Sequence, residues 1–362
     1  MMKKILAAAI VSAFAAPAFA ATANVDVYGK LHASVSMFDE SIESYTNPVT
    51  GVTTRGTNDL QFSSNASRIG FKGAEDLGGG LKAIWQIESG VNLDEGGDSF
   101  AGRNSFIGLS GGFGTALIGT HDTPLKLVGR AVDLFGDTMA DSRNVMGGGS
   151  DIRAKNVAVY MTPNMGGFGI AAAYSTDPKN EGTFISTTQN PAVKGDTGDQ
   201  ADNGAYNLSA TYKNGPLFLG LGYGDGDYHE NNGLGAHIRG AAGFDMGAFK
   251  LVGQYDRLED DTPAVGNGDY DAWMVGAAYT MGAIVLKANY MEGEYDNANA
   301  PEPTQWTVGV DYNLSKRSSV YALYAKSEDV VLGKGGGSSD QIVSGDTGGD
   351  NSVISLGMIH NF

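Results

Sequence analysis

Cysteine is absent from the 362-residue chain, which removes disulfide frameworks, thiolate metal sites and cysteine nucleophiles together. Basic residues are scarce: 24 Lys and Arg stand against 41 Asp and Glu, for a net charge of −17. Neutralising phosphates requires clustered Lys and Arg, so nucleic acid is excluded as a partner. Beyond residue 20 no apolar run of about 18 residues occurs, and no membrane-spanning helix is predicted. Catalytic signatures are missing too. The five histidines form no H-E-x-x-H, and no G-x-S-x-G elbow is present. An enzyme is not expected, nor a cofactor or metal. The segment GLGYGDGDYHENN is only superficially like a calcium loop, because the twelfth position, which needs a carboxylate, is Ala236. Glycine, by contrast, is plentiful at 54 residues, about twice its usual share of ~7%. That abundance disfavours long helices and suits tight turns between strands.

The N-terminus predicts the compartment. Lys3 and Lys4 precede an apolar run over 5–16 and an Ala18-Phe19-Ala20 cleavage site, the pattern of a cleavable secretory signal. Residues 1–20 are expected to be removed, leaving one domain over 21–362. The loss takes two lysines and no acid, moving the net charge from −17 to −19. An exported chain without a spanning helix is periplasmic, secreted or an outer-membrane barrel.

Period-two patterning separates these. Val25, Val27, Gly29, Leu31, Ala33, Val35 and Met37 alternate with Asp26, Lys30, His32, Ser34 and Ser36, with Tyr28 and Phe38 as apolar exceptions on the polar side. One oily and one wet face over about fifteen residues exceeds an ordinary soluble strand and fits a tilted membrane strand. The same texture predicts strands near 60–72, 81–93, 102–111, 115–122, 153–162, 168–177, 204–213, 216–226, 235–244, 248–257, 270–280, 282–293, 303–314, 318–328 and 351–362, sixteen in all with the first. Tight Gly-rich turns (112–114, 163–167, 214–215, 246–247, 281–282, 315–317) alternate with long polar connections (39–59, 123–152, 178–203, 258–269, 329–350). Short turns at one rim and long loops at the other are the layout of outer-membrane barrels. The expected fold is therefore all-β: a 16-stranded antiparallel transmembrane barrel. Gly220, Gly222, Gly224 and Gly226, spaced by two, predict one smooth barrel face.

NVDVYGKLHASVSMF, SRIGFKGAEDLGGGLKAIWQIE (67–88), GRNSFIGLSGGFGTALIGTHDTPL (102–125) and the terminal GMIHNF resemble, in family order, the general diffusion porins of Gram-negative bacteria. The likeness is to their trimeric sixteen-stranded branch. It implies a water-filled homotrimeric channel for passive diffusion of ions and small hydrophilic solutes, with the third loop folded inward as a constriction. The outer membrane's lipid and lipopolysaccharide and the barrel assembly machinery are the implied partners. A substrate-specific sugar or organic-acid porin is the alternative, though no ladder of lumenal aromatics is evident, and a structural or adhesive barrel comes behind it.

Inward-facing charge in such a barrel is functional. Alternation puts Lys30 and His32, Arg68 and Lys72, Gln86 and Glu88 inside. With Phe106 read as lipid-facing, Arg103 and Ser105 fall inside too. The resemblance assigns Lys30, Arg68 and Arg103 to the basic wall of the constriction and adds Arg153, whose phase is shared by Val157 and Val159. DLFGDT in the third loop resembles the family's acidic motif, although the Pro-Glu-Phe-Gly-Gly form of enterobacterial relatives is missing. Asp133, Asp137 and Asp141 are the acidic candidates, with Asp122 weaker and Lys126, Arg130 and Arg143 complicating the balance. Near-equal local charge predicts weak selectivity, leaning toward cations through the acidic vestibules. At the other end Phe362, His360 and Met358 share one face of the last strand, which resembles an assembly signal. The acidic stretches KGDTGDQADNG and SGDTGGDNS are expected to be solvated loops.

Overall fold

The computed structural model describes residues 24–40, 45–46, 53–54, 60–97, 100–147, 151–176, 204–226, 234–260, 268–297, 300–330, 332–333 and 350–362. The leader over 1–20, the stretch KGDTGDQADN and most of SGDTGGDNS lie outside them. Sixteen strands form the wall. They are β1 (Asn24–Glu40), β2 in two pieces (Leu60–Ser64 and Arg68–Gly78), β3 (Leu81–Gly90), β4 (Ser105–Gly111), β5 (Gly114–Asp122), β6 (Arg153–Met161), β7 (Phe168–Ser175) and β8 (Ala205–Asn214). β9 (Leu217–Gly226), β10 (Leu234–Asp245), β11 (Phe249–Asp260), β12 (Tyr270–Met281), β13 (Ile284–Tyr295), β14 (Thr304–Asn313), β15 (Ser318–Glu328) and β16 (Asp350–Asn361) complete it. Every neighbour pairs antiparallel, and β1 closes the sheet on β16 in a register running from Lys30 opposite Asn361 to Glu40 opposite Asn351. Closure leaves no sheet edge, so the strands of the wall find their backbone partners in one another without water, the condition for crossing a bilayer with strands.

Alternation decides what each face carries. Val25, Val27 and Met37 stand on the oily outside, while His32, Ser34, Ser36 and Phe38 are buried inside. Three places break the simple count. The predicted strand 60–72 is interrupted at 65–67, where Ala66 takes a positive φ of 51°. Ser64 faces Ala33 and Arg68 faces Lys30, so β2 carries one residue more than β1, and its outward phase switches from Leu60 and Phe62 to Ile69 and Phe71. In β6 Asn156 has φ 49°, and an extra residue lies between Ala154, opposite His121, and Val157, opposite Gly119. This bulge brings Val157 and Val159 inward together with Ala154, while Arg153, the first residue of the strand, stands beside Asp122 at the loop stem.

Phe106 is the third case, and here the reading of the sequence is corrected. Ile107, opposite Trp85 and Ile118, holds the lipid face, whereas Phe106 lies opposite Gln86 and Gly119 and packs on the His121 ring at 5.5 Å. Gly119 has no side chain, and Phe106 fills that space. Arg103 does not follow strand parity at all, because β4 begins only at Ser105 and residues 102–104 are irregular.

Among the described residues no helix is long and apolar enough to cross a membrane. The main apolar clusters lie inside the barrel. One joins Val128, Val132, Val145 and Met146 to Val252, Leu258, Met274 and Met291; another joins Phe135, Met139 and Ala140 to Phe38, Tyr321 and Leu323. Both pack the third loop against the inner wall.

Candidate functional site

That loop, described over 123–147 and 151–152, leaves β5 and turns into the lumen. Its first piece is a helix, α1 (Pro124–Arg130): Thr123 caps it by accepting from Lys126 N at 3.3 Å, and Pro124 supplies the φ suited to a first turn. A short 3₁₀ turn over Ser142–Asn144 is capped by Asp141, which accepts from Arg143 N at 2.9 Å. Four apolar knobs of the loop meet glycines of the wall. Val128 lies over Gly220, Leu125 over Gly222, Leu134 over Gly276 and Phe135 over Gly309. The smooth face predicted at Gly220 and Gly222 is thus a seat for α1, where any side chain would collide with the helix. Polar ties complete the docking: Asn207 Oδ1 accepts from Leu125 N at 2.6 Å, Gln305 exchanges hydrogen bonds with Asn144 and Ala140 O, Tyr270 donates to Val145 O, and Lys287 donates to Leu134 O.

With the loop seated on β8–β16, its charged rim turns toward β1–β6. Lys30 Nζ lies 3.0 Å from Asp137 Oδ2, and Arg68 Nη1 lies 3.7 Å from the same oxygen. Arg103 Nε donates to Glu88 Oε1 at 2.7 Å, and Tyr28 donates to Glu88 Oε2 at 2.9 Å. Arg153 reaches Asp122 at 3.3 Å and Asn104 Oδ1 at 2.7 Å, while Lys126 pairs with Asp122 at 2.9 Å. Glu88, which alternation had placed inside without a role, is the wall's own acid between Arg68 and Arg103.

The three loop acids are not equivalent. The side chains of Asp133 and Asp141 are 1% and 0% exposed and are enclosed with Arg130 and Arg143; Asp137 alone of the three also touches the wall. Arg130 binds all three carboxylates, at 3.4, 2.7 and 2.8 Å for Asp133, Asp137 and Asp141. Burial by itself would raise Asp137, but Arg130, Lys30 and Arg143 overcome it and hold the carboxyl far below the usual range. Asp141 is likewise held at about 2 against its burial by Arg143 and Arg130. Asp133 moves the opposite way: burial, and then the charge of Asp141, push it up to about 6 despite Arg130. No signal in the sequence separates these three, since the distinction depends on which carboxylates the folded loop encloses.

At the seam Met358 points outward with Ile354 and Leu356, His360 stacks on Phe362 at 6.4 Å, and Phe362 exchanges two backbone hydrogen bonds with Gly29.

A closed barrel of sixteen antiparallel strands, apolar outside and charged inside with one loop folded into its lumen, defines an outer-membrane channel. A family model described as Gram-negative porin matches residues 7–330, and the chain belongs to that family. It is 31% identical over 288 residues to outer membrane porin protein 32 of Delftia acidovorans, covering 74% of this chain and 76% of that one. It is 29% identical to the major outer membrane protein P.IB of Neisseria gonorrhoeae over 95% of this chain and 97% of the relative. Among solved structures, an anion-selective porin from Comamonas acidovorans superimposes with a TM-score of 0.68 at 25% identity, over 94% of this chain and all of that one. A trimer form of OmpT from Vibrio cholerae matches with a TM-score of 0.63 at 18% identity, over 94% and 99%. The protein is an outer-membrane porin, a channel for passive diffusion, and its relatives are channels and not enzymes.

Proposed function

We propose that the narrowest section of this channel runs between Lys30, Arg68, Arg103 and Arg153 on the wall and Asp137 on the loop, and that, in place of the lean toward cations read from the acidic vestibules, it favours small hydrophilic anions over cations. Asp133 and Asp141 act from within the loop, by holding Arg130 and Arg143. The observation that supports this reading is the unequal exposure of the two signs. Arg68 is 27%, Arg130 26%, Arg103 21%, Arg153 18% and Lys30 12% exposed at the side chain, against 16% for Asp122, 11% for Asp137, 8% for Glu88, 1% for Asp133 and 0% for Asp141. A passing ion meets guanidinium groups that are more exposed than most of the carboxylates paired with them. The acidic residues elsewhere in the chain, which dominate its net charge, act on this section only through salt that screens over ~8 Å. The same preference is carried in the name of the anion-selective porin from Comamonas acidovorans. Reversal potential under a potassium chloride gradient tests the reading: a potential of cationic sign in the unmodified channel refutes it.

The assembly follows the same proposal. Residues 1–20 are a leader removed after Ala20, and the mature chain over 21–362 forms a homotrimer, as the OmpT trimer form does. It contacts outer-membrane lipid and lipopolysaccharide, and the face of Met358, His360 and Phe362 is read by the barrel assembly machinery. Mass spectrometry of the purified protein and its migration with and without boiling check the first two statements.

A further inference from the structure

Loop three spans the lumen, and its seat on the wall contains one side chain that reaches both of its ends. Arg239 on β10 is 0% exposed. Its Nη1 donates to Leu125 O at 3.4 Å, in the first turn of α1, and to Asp151 Oδ1 at 2.6 Å, at the loop's far end. Its Nε and Nη2 form a bidentate pair with Asp256 on β11, at 2.8 and 2.7 Å. Gln254 donates to both oxygens of Asp256 as well. The guanidinium is thus aimed by the wall and offers its remaining donors to the loop. Gly129 and Gly147, one near each end of the loop, lie against the guanidinium, where a β-carbon would press on Nη1 and Nη2.

We propose that Arg239 is a positioning residue for transport: one buried guanidinium clasps the two stems of the third loop to β11 and so sets how far the loop stands out into the channel. The geometry supports a clasp more than a general stabiliser. The backbone hydrogen bonds of β10 to β9 and β11 close the barrel whatever side chain stands at 239. What Arg239 adds is the link to Leu125 and Asp151, and both belong to the loop. A planar fork with five donors can serve three acceptors from fixed directions, which the single ammonium of a lysine cannot. Loss of the clasp leaves α1 held by the glycine seats and the Asn207 bond, so the loop stays inside but loses its fixed height.

This inference rests on the reading that the loop lines the narrowest section, and the experiment keeps the two apart. In planar bilayers, Arg239→Met trimers are expected to lose the single uniform conductance level and to show excess open-channel noise. Asp151→Asn, which leaves the Arg239–Asp256 pair in place, is expected to reproduce the effect in milder form and decides the matter if Arg239→Met does not fold. Arg239→Lys, which keeps the charge but not the planar fork, should stay noisy. A quiet, unchanged Asp151→Asn channel overturns the clasp. Separately, a charged methanethiosulfonate reagent on Asp137→Cys should change the current if the loop lines the pore. No change there refutes the constriction, whereas a change with a silent Asp151→Asn refutes only the clasp.

Discussion

Lys30 Nζ and Asp137 Oδ2 stand 3.0 Å apart and bridge the first strand of the barrel to the tip of the loop inside it, across 107 positions of sequence. Asp137 has a φ of 61°, a conformation that Asp and Asn accept more readily than most residues. The loop therefore turns where it must present this carboxylate, and Arg68 approaches it from the next strand.

Asp137→Asn keeps that backbone and removes one negative charge beside the path. Reversal potential under a salt gradient should move toward anions by roughly two- to five-fold in permeability ratio, the scale of one unit charge a few ångströms away in water. Neutralising Arg68 and Arg103 together should move it toward cations and raise conductance. Unchanged potentials in both variants would remove these residues from the constriction.

Acidification should act through Asp133. Its pKa is pushed up to about 6, whereas Asp141 stays near 2 and Asp137 lower still, so only Asp133 among the three takes up a proton between pH 7 and pH 5. The loop then gains one positive unit, and the potential should shift toward anions with a midpoint near 6. The sign for folding is consistent: a carboxyl raised above its ordinary value of about 3.9 stabilises the protonated fold, a contribution lost as pH rises through the folded pKa. Asp133→Asn should flatten this step of the titration.

The glycine seat makes a steric prediction. A β-carbon at Gly222 would come within 3.1 Å of Leu125 Cα, and backbone cannot rotate away as a side-chain tip can. Gly222→Val should cost about 1–3 kcal/mol of overpacking and push α1 into the lumen, which lowers single-channel conductance. Gly240→Ala, whose nearest neighbour is a Leu221 methyl at 3.9 Å, should match the unmodified channel. Equal conductance in all three would show that α1 does not rest on this face.

At the seam, Gly29 N donates to Phe362 O at 3.0 Å and Phe362 N to Gly29 O at 3.1 Å. Deleting Phe362 removes both bonds, worth about 1 kcal/mol each, together with the ring that covers Gly29. The yield of heat-modifiable trimer in the outer membrane should fall while synthesis and export continue. Full yield would make the last residue dispensable.

Strand number, strand order and the lipid or lumen side of most residues were legible in the sequence, because a period of two is a local property and the bilayer enforces it at every position. Lys30, Arg68 and Glu88 point inward for that reason alone. Where one extra residue enters a strand, as at Ala66 and Asn156, or where parity is traded against a neighbour's missing side chain, as for Phe106 over Gly119, the count fails; these depend on the partner strand. The third loop shows the division most sharply. Its acids and arginines can be read off the chain, but which carboxylate is enclosed and which meets the wall follows from how the loop packs on Gly220, Gly222, Gly276 and Gly309. Arg239 carries no motif of its own. Its pair with Asp256 is a register contact between consecutive strands, but its reach to Leu125 and Asp151 exists only once the third loop has folded back onto the wall, since those partners, 114 and 88 positions away, are brought to it by the fold and by nothing nearer along the chain.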